Sequence, residues 1–388
     1  MKKVAGWCAF FVFFAFFVCP VTTFASEAES DIETESAAVA DEVRAMQSAV
    51  PPEVAELLPE GFFSENIDEM GASVQKAGAP SAILSAVGRI TGLAIGENLS
   101  LLAKICGILI LSAVFRSVVK NKESAGALGQ ALSFCATLSL ILVIFSLQRM
   151  RFSEISTYFE TMKGLSTAML PLMGALYAMG GNVAAAVANH GVMSAFLMLL
   201  EGVLSSTVLP VAGICLALGI LDAASGKLQL RSLSTLIKRT YTLTFSFLML
   251  ILCGVLGIQT TLAKGSDTLG LRTVRFAAGS FLPVVGGSVS EALRTVAGSV
   301  EYLRGVVGMG GVLVILFAFL PIFLSVLLSR ITFLLGGATA KLLGCDGEEK
   351  ILSELASVYG YFMAVIASLF VLMTFSLTLF ARCAAAGG

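Results

Sequence analysis

The sequence predicts an all-α polytopic membrane protein: about six transmembrane helices, two Pro/Gly-broken re-entrant or interfacial helical segments, and an internal duplication. Three observations predict it. Hydrophobic residues make up 57% of the 388 and charged residues 13%, where a soluble domain carries roughly a quarter charged. Leu128–Leu147, Thr240–Ala263, Gly305–Ser329 and Leu355–Ala381 contain no Asp, Glu, Lys or Arg. Each reaches the ~20 residues that a helix needs to cross ~30 Å of hydrocarbon. Finally, similar segments recur in the same order along the second half of the chain.

Residues 1–25 read as a secretory signal peptide. Lys2 and Lys3 form a positive start, Ala5–Val18 is a short Phe-rich apolar core, and Thr23-Phe24-Ala25 offers small residues for cleavage between Ala25 and Ser26. Residues 26–98 form an acidic segment, expected outside the cytoplasm because it follows that signal. Between 26 and 95 there are 13 acidic residues against Arg44, Lys76 and Arg89. Its first part, SEAESDIETESAAVADE, is too poor in large apolar residues to fold alone. EVRAMQSAV and PPEVAELLPEGFF then read as short amphipathic helices lying on a membrane or a partner.

Residues 99–163 hold a first transmembrane hairpin, Leu99–Val119 running inward and Leu128–Leu147 returning. Residues 164–263 and 272–382 are two copies of one unit. AMLPLMGALYAMGG (168–181) matches SFLPVVGGSVSEAL (280–293), and Leu209-Pro210 matches Leu320-Pro321. RSLSTLIKRTYTLTFSFLML (231–250) matches KILSELASVYGYFMAVIASLF (350–370) through Leu-Ser-x-Leu. In each copy a segment interrupted by proline and glycine precedes a span, Val192–Leu221 or about 310–331. A polar loop and a closing span follow, Thr240–Ala263 or Leu355–Ala381. Pro171, Pro210, Pro283 and Pro321 are the expected kinks.

Basic residues orient these spans. If 164–189 and 272–308 dip into or rest along the outer leaflet, Arg116, Lys120, Lys227, Arg231, Lys238, Lys341 and Lys350 all fall inside, as the positive-inside rule requires. Both copies then face the same way. Arg149, Arg151 and Lys163 are left as a basic group outside.

The stretch 289–307 is amphipathic at helical spacing. Glu291, Arg294, Glu301 and Arg304 share one side, and Val289, Leu293, Val296, Val300, Leu303 and Val307 the other. It reads as an interfacial helix touching headgroups, or as a wall of a water-filled vestibule. These four charged residues and Glu201, an acid inside an apolar run, are the candidate pore or assembly residues. A hydrated position near the interface explains Glu201 equally well. No phosphate-binding loop occurs, His190 is the only histidine, and no CxxC is present. No catalytic, cofactor-binding or metal site emerges, and nothing points to nucleic acid.

The signal peptide, acidic segment and polytopic body, and above all VRFAAGSFLPVVGGSVSEALRTVAGSVEYLRGVVG (274–308), resemble the stage III sporulation protein AE family of endospore-forming bacteria. The resemblance implies a location in the mother-cell membrane around the engulfed forespore. It also implies a non-enzymatic role in a channel or secretion-like complex that supports late forespore gene expression. Companions implied with it are a secretion-type ATPase, ring-forming membrane proteins and membrane lipid, with a homo-oligomer compatible. The competing expectations are a self-sufficient small-molecule transporter or permease and a pore-less membrane scaffold.

Overall fold

In the computed structural model the described residues are 43–64, 66–120, 125–179, 191, 206–225, 230–281 and 286–382. All regular elements among them are helices. After a helical piece at 43–49 come α1 (Pro52–Ala55), α2 (Ile67–Ala77), α3 (Pro80–Lys120), α4 (Ala125–Met179), α5 (Leu209–Ser225), α6 (Leu230–Phe281), α7 (Gly286–Leu342) and α8 (Asp346–Arg382).

Five helical stretches are long and apolar enough to cross a membrane: Pro80–Val114, Ser206–Ala223, Leu230–Val255, Gly305–Leu342 and Asp346–Thr378. They coincide with five of the expected spans. The sixth, Leu128–Leu147, falls on α4, where part of the side chains lie outside the described residues. The first crossing begins earlier than expected: one helix, α3, joins the end of the acidic segment to the first span.

The centre is the α7–α8 pair. About 67% and 72% of their crossing windows are buried, against 17% for Leu230–Val255. Tyr359, Phe362, Phe317 and Phe333 are almost wholly enclosed there. Phe333 meets Tyr359 edge-on at 5.3 Å and Phe152 of α4 meets Phe362 at 5.5 Å, the offset geometry aromatic rings prefer. α3, α5 and α6 pack around this pair and expose Leu99, Ile110, Leu243, Phe247 and Leu250, a surface suited to lipid. Gly344 (φ 70°) ends α7. Cys345 N–H donates to the Ala340 carbonyl (2.9 Å) and Gly344 N–H to Lys341 (3.2 Å), a Schellman closure that turns the chain straight into α8.

Pro171 and Pro321 lie inside continuous helices, where a proline bends a helix without dividing it. A proline loses one intrahelical bond and crowds the carbonyl four residues back. In packed apolar surroundings leaving the helix would strand many more backbone groups, so the helix runs on. The first interrupted segment, 164–189, is therefore continuous with α4 as far as Met179. In the second, residues 282–285, Pro283 among them, lie outside the described residues, between α6 and α7. Beyond them, 289–307 is no separate interfacial helix. Nothing in 288–320 stops a helix, and α7 carries the amphipathic stretch directly into the span.

The apolar side of that stretch has a partner within the chain. Leu303, Val306 and Val307 are buried, and α2 packs on this part of α7. Asn66 Oδ1 caps α2 by accepting from Asp68 N–H (3.0 Å). Val74, Met70 and Phe62 lie within 3.8 Å of where a Cβ on Gly310 would stand. Gly71 meets Tyr302, whose Oη is 2.6 Å from the position of a Cβ there. Burial, and then the Asp68 carboxylate, push the Tyr302 phenol up from its ordinary value. Gly71→Val should displace Tyr302 and loosen this docking by about 1–2 kcal/mol. Limited proteolysis near Gly78–Ala79 should then accelerate about tenfold with the bundle's melting temperature unchanged, 1.4 kcal/mol being a factor of ten in local opening.

Candidate functional site

Helix ends define the site. Ser112 Oγ of α3 donates to Glu348 Oε1 of α8 (2.7 Å), and Asp222 of α5 lies 3.7 Å from Lys350 of α8. Asp222 Oδ1 also accepts from Leu230 N–H (2.8 Å), capping α6. The last turns of α3 and α5 and the first turns of α6 and α8 therefore meet at one end of the bundle. The α7–α8 turn lies there too, and Gly347 faces Thr137 of α4. The opposite end holds α2 against α7, with Ser166 of α4 donating to Met373 Sδ (3.1 Å).

Just inside the first end sits a buried polar node. Lys238 Nζ donates to Glu354 Oε1 at 2.5 Å, with side chains 6% and 3% exposed. Ser234 Oγ donates to the same oxygen, and Cys215 Sγ lies 3.8 Å from the Ser234 carbonyl. One turn back, Arg231 Nη2 donates to Ser353 Oγ at 2.5 Å. Arg231, Ser234, Lys238, Ser353 and Glu354 come from the two segments 231–250 and 350–370 matched in sequence, so their Leu-Ser-x-Leu starts pack against each other. Gly219 of α5 makes the approach possible: a Cβ there would stand 2.9 Å from Glu354 Cβ. An ion pair so buried survives because each charge meets the other and the hydroxyl adds a bond. Higher up, Thr207 Oγ1 and Tyr241 Oη share a hydrogen bond (2.6 Å), and Tyr361 Oη donates to the Val208 carbonyl (3.3 Å).

A second node joins α3, α4 and α7. Arg151 donates to Glu97 (2.5 Å), Glu154 (2.9 Å) and Ser325 Oγ (2.6 Å), and Ser329 Oγ donates to Asn98 Oδ1 at 3.0 Å. Glu97 lies on the long helical stretch Pro80–Val114 and its side chain is 64% exposed. Arg151 gives this carboxylate a partner.

Glu201, Ala25 and Ser26 lie outside the described residues. Glu291, Arg294, Glu301 and Arg304 fall on α7, but their side chains are outside the described set. Pro210 is the second residue of α5, after a π-turn at 206–208. No group of His, Cys, Asp or Glu suited to a metal occurs among the described residues. Sequence reasoning used Arg151 and Lys238 only to orient the spans and did not single out Glu97 or Glu354. The available signal was the Leu-Ser-x-Leu match, which places Glu354 opposite Thr235 in the repeat.

The family model for stage III sporulation protein AE matches residues 63–384. A curated relative, stage III sporulation protein AE of Bacillus subtilis (strain 168), is 25% identical over 217 residues, 55% of this chain and 54% of the relative. The chain thus spans about half the length of the relative it matches. No solved structure matches. With a family model covering most of its length, and an all-helical fold with several crossing helices, the chain belongs to the stage III sporulation protein AE family.

Proposed function

We propose that this protein is a non-enzymatic membrane core subunit of a channel or secretion-like complex joining the mother cell to the forespore. It sits in the mother-cell membrane around the forespore. Family membership supports the setting, and one structural observation carries the rest. The helix ends rich in Arg and Lys gather at one pole, while the acidic amino-terminal segment folds over the other. By the positive-inside rule the first pole is cytoplasmic. The mature amino terminus and α2 then face the space between the two cells. Leu128–Leu147 on α4 supplies a sixth crossing, so that inward and outward runs alternate in three hairpins. The unit relies on partners for energy, a secretion-type ATPase and ring-forming membrane proteins, and is open to self-association.

The test is complementation. In an endospore-former lacking its own family member, the full chain should restore spore yield and a late forespore reporter. Purified alone in lipid vesicles, it should move no small solute. Solute uptake by the chain alone would favour a permease. Spore yield that stays normal with Arg151→Gln and Glu97→Gln present at wild-type level would favour a pore-less scaffold.

A further inference from the structure

α4, α6 and α7 are 55, 52 and 57 residues long. At 1.5 Å per residue each runs for about 80 Å, against ~30 Å of hydrocarbon in a bilayer. Lipid can cover less than half of each, and the outward side chains tell which half.

On α4 one exposed line follows the helix in steps of three and four residues. It reads Leu138, Leu142 and Phe145, 40–70% exposed, and then Arg149, Ser153, Thr157, Glu160, Gly164 and Thr167. The helix does not break where the line changes. The change comes just past the charge-free run Leu128–Leu147, whose length suits one crossing. At this level Arg151 bonds to Glu97 and Ser325, and Ser329 to Asn98. α3 changes there too. Toward the pole of helix ends it exposes Leu99, Ile110, Leu111 and Val114; Lys104, two turns below Glu97, has a stem long enough to lean toward the border. Beyond the border Ser81, Ser85, Gly88, Arg89 and Gly92 outnumber Leu84 and Ile95 on the exposed face.

α7 shows the same border from inside. Gly305–Leu342 is the most apolar of the candidate crossings, yet no described residue from 305 to 330 is exposed. Outward apolar groups begin at Ile331 and continue through Leu334, Leu335 and Leu342. Arg151 at Ser325 and Met169 at Gly311 lay the polar-faced half of α4 along the enclosed stretch. A helix that is apolar all round and covered by its own chain is a core helix as readily as a crossing one. An arginine and a glutamate turned outward at that height are costly in lipid and at ease in water. We infer that on its α3–α4 side the bundle leaves the bilayer at the Glu97–Arg151 pair, with residues 149–171 of α4 standing in water and Gly305–Ser329 forming the core behind them. Lipid contact on α7 then begins at Ile331. α6, packed chiefly on α8 and α5, keeps apolar groups outward as far as Ile258, so lipid climbs higher along α6 than along α4.

A charged maleimide that stays out of hydrocarbon tests this on the full chain in lipid nanodiscs, with peptide mass spectrometry reading each site. Both aqueous faces are open in a nanodisc, so the result depends neither on which pole is cytoplasmic nor on a role in sporulation. Ser153→Cys, Thr157→Cys and Thr167→Cys should label at least about tenfold faster than Leu142→Cys and the native Cys135, because only a wet thiol supplies the thiolate that reacts. In the unaltered chain, hydroxyl radicals made in water should oxidise Met150, 66% exposed, and spare Phe145, which decides the matter should a variant fail to fold. Labelling at 153, 157 and 167 as slow as at 142, or oxidation of Phe145 with Met150 spared, overturns the inference.

Discussion

Lys238→Ala is expected to destabilise the bundle by about 3–5 kcal/mol, the range for removing one partner of a buried ion pair. The loss comes less from the missing attraction than from what remains. Glu354 is enclosed by α5, α6 and α8 and would lose its buried partner, leaving Ser234 as its one hydrogen-bond donor among the described residues. Replacing both partners, as Lys238→Met with Glu354→Leu, should recover most of the loss, because a packed apolar pair needs no solvation. Thermal unfolding of the full chain in detergent, followed by helical circular dichroism, separates these outcomes. If the single and double variants melt together, the pair is not acting as a charge pair. The two residues are 116 positions apart, yet they tie α6 to α8, so the effect should be global.

That separation explains why the node was not legible in the sequence. Composition and uncharged runs mark lipid-crossing helices reliably, because a charge in hydrocarbon is expensive wherever it sits along a chain. Five expected spans therefore reappear with shifted ends. Pairing between helices depends instead on rotation and depth, which a single sequence does not encode. Lys238 was legible only as one of the basic residues that orient the spans, and nothing singled out Glu354. Pro171 lies inside α4, which runs on as one helix and packs against α7 and α8. The packing of α2 on α7 at Tyr302, Val306 and Gly310 requires knowing that α2 returns to α7, which no local pattern states.

Gly219→Val is expected to have the next largest effect, at the upper end of the roughly 1–3 kcal/mol typical of overpacking. In a bilayer the hydrophobic effect contributes little to helix association, so close backbone approach supplies much of the attraction, and small residues permit it. At Gly219 the obstacle to a side chain is Glu354 Cβ at 2.9 Å and Cγ at 2.4 Å. The Cβ is fixed to the α8 backbone and cannot swing aside, so α5 must move outward. Gly213, on the same helix, has open space where its Cβ would stand, and Gly213→Val should change little beyond helix propensity. A melting-temperature difference between the two variants in the full chain measures the contact itself, with composition held constant. Equal melting temperatures would mean that α5 does not rest on Glu354.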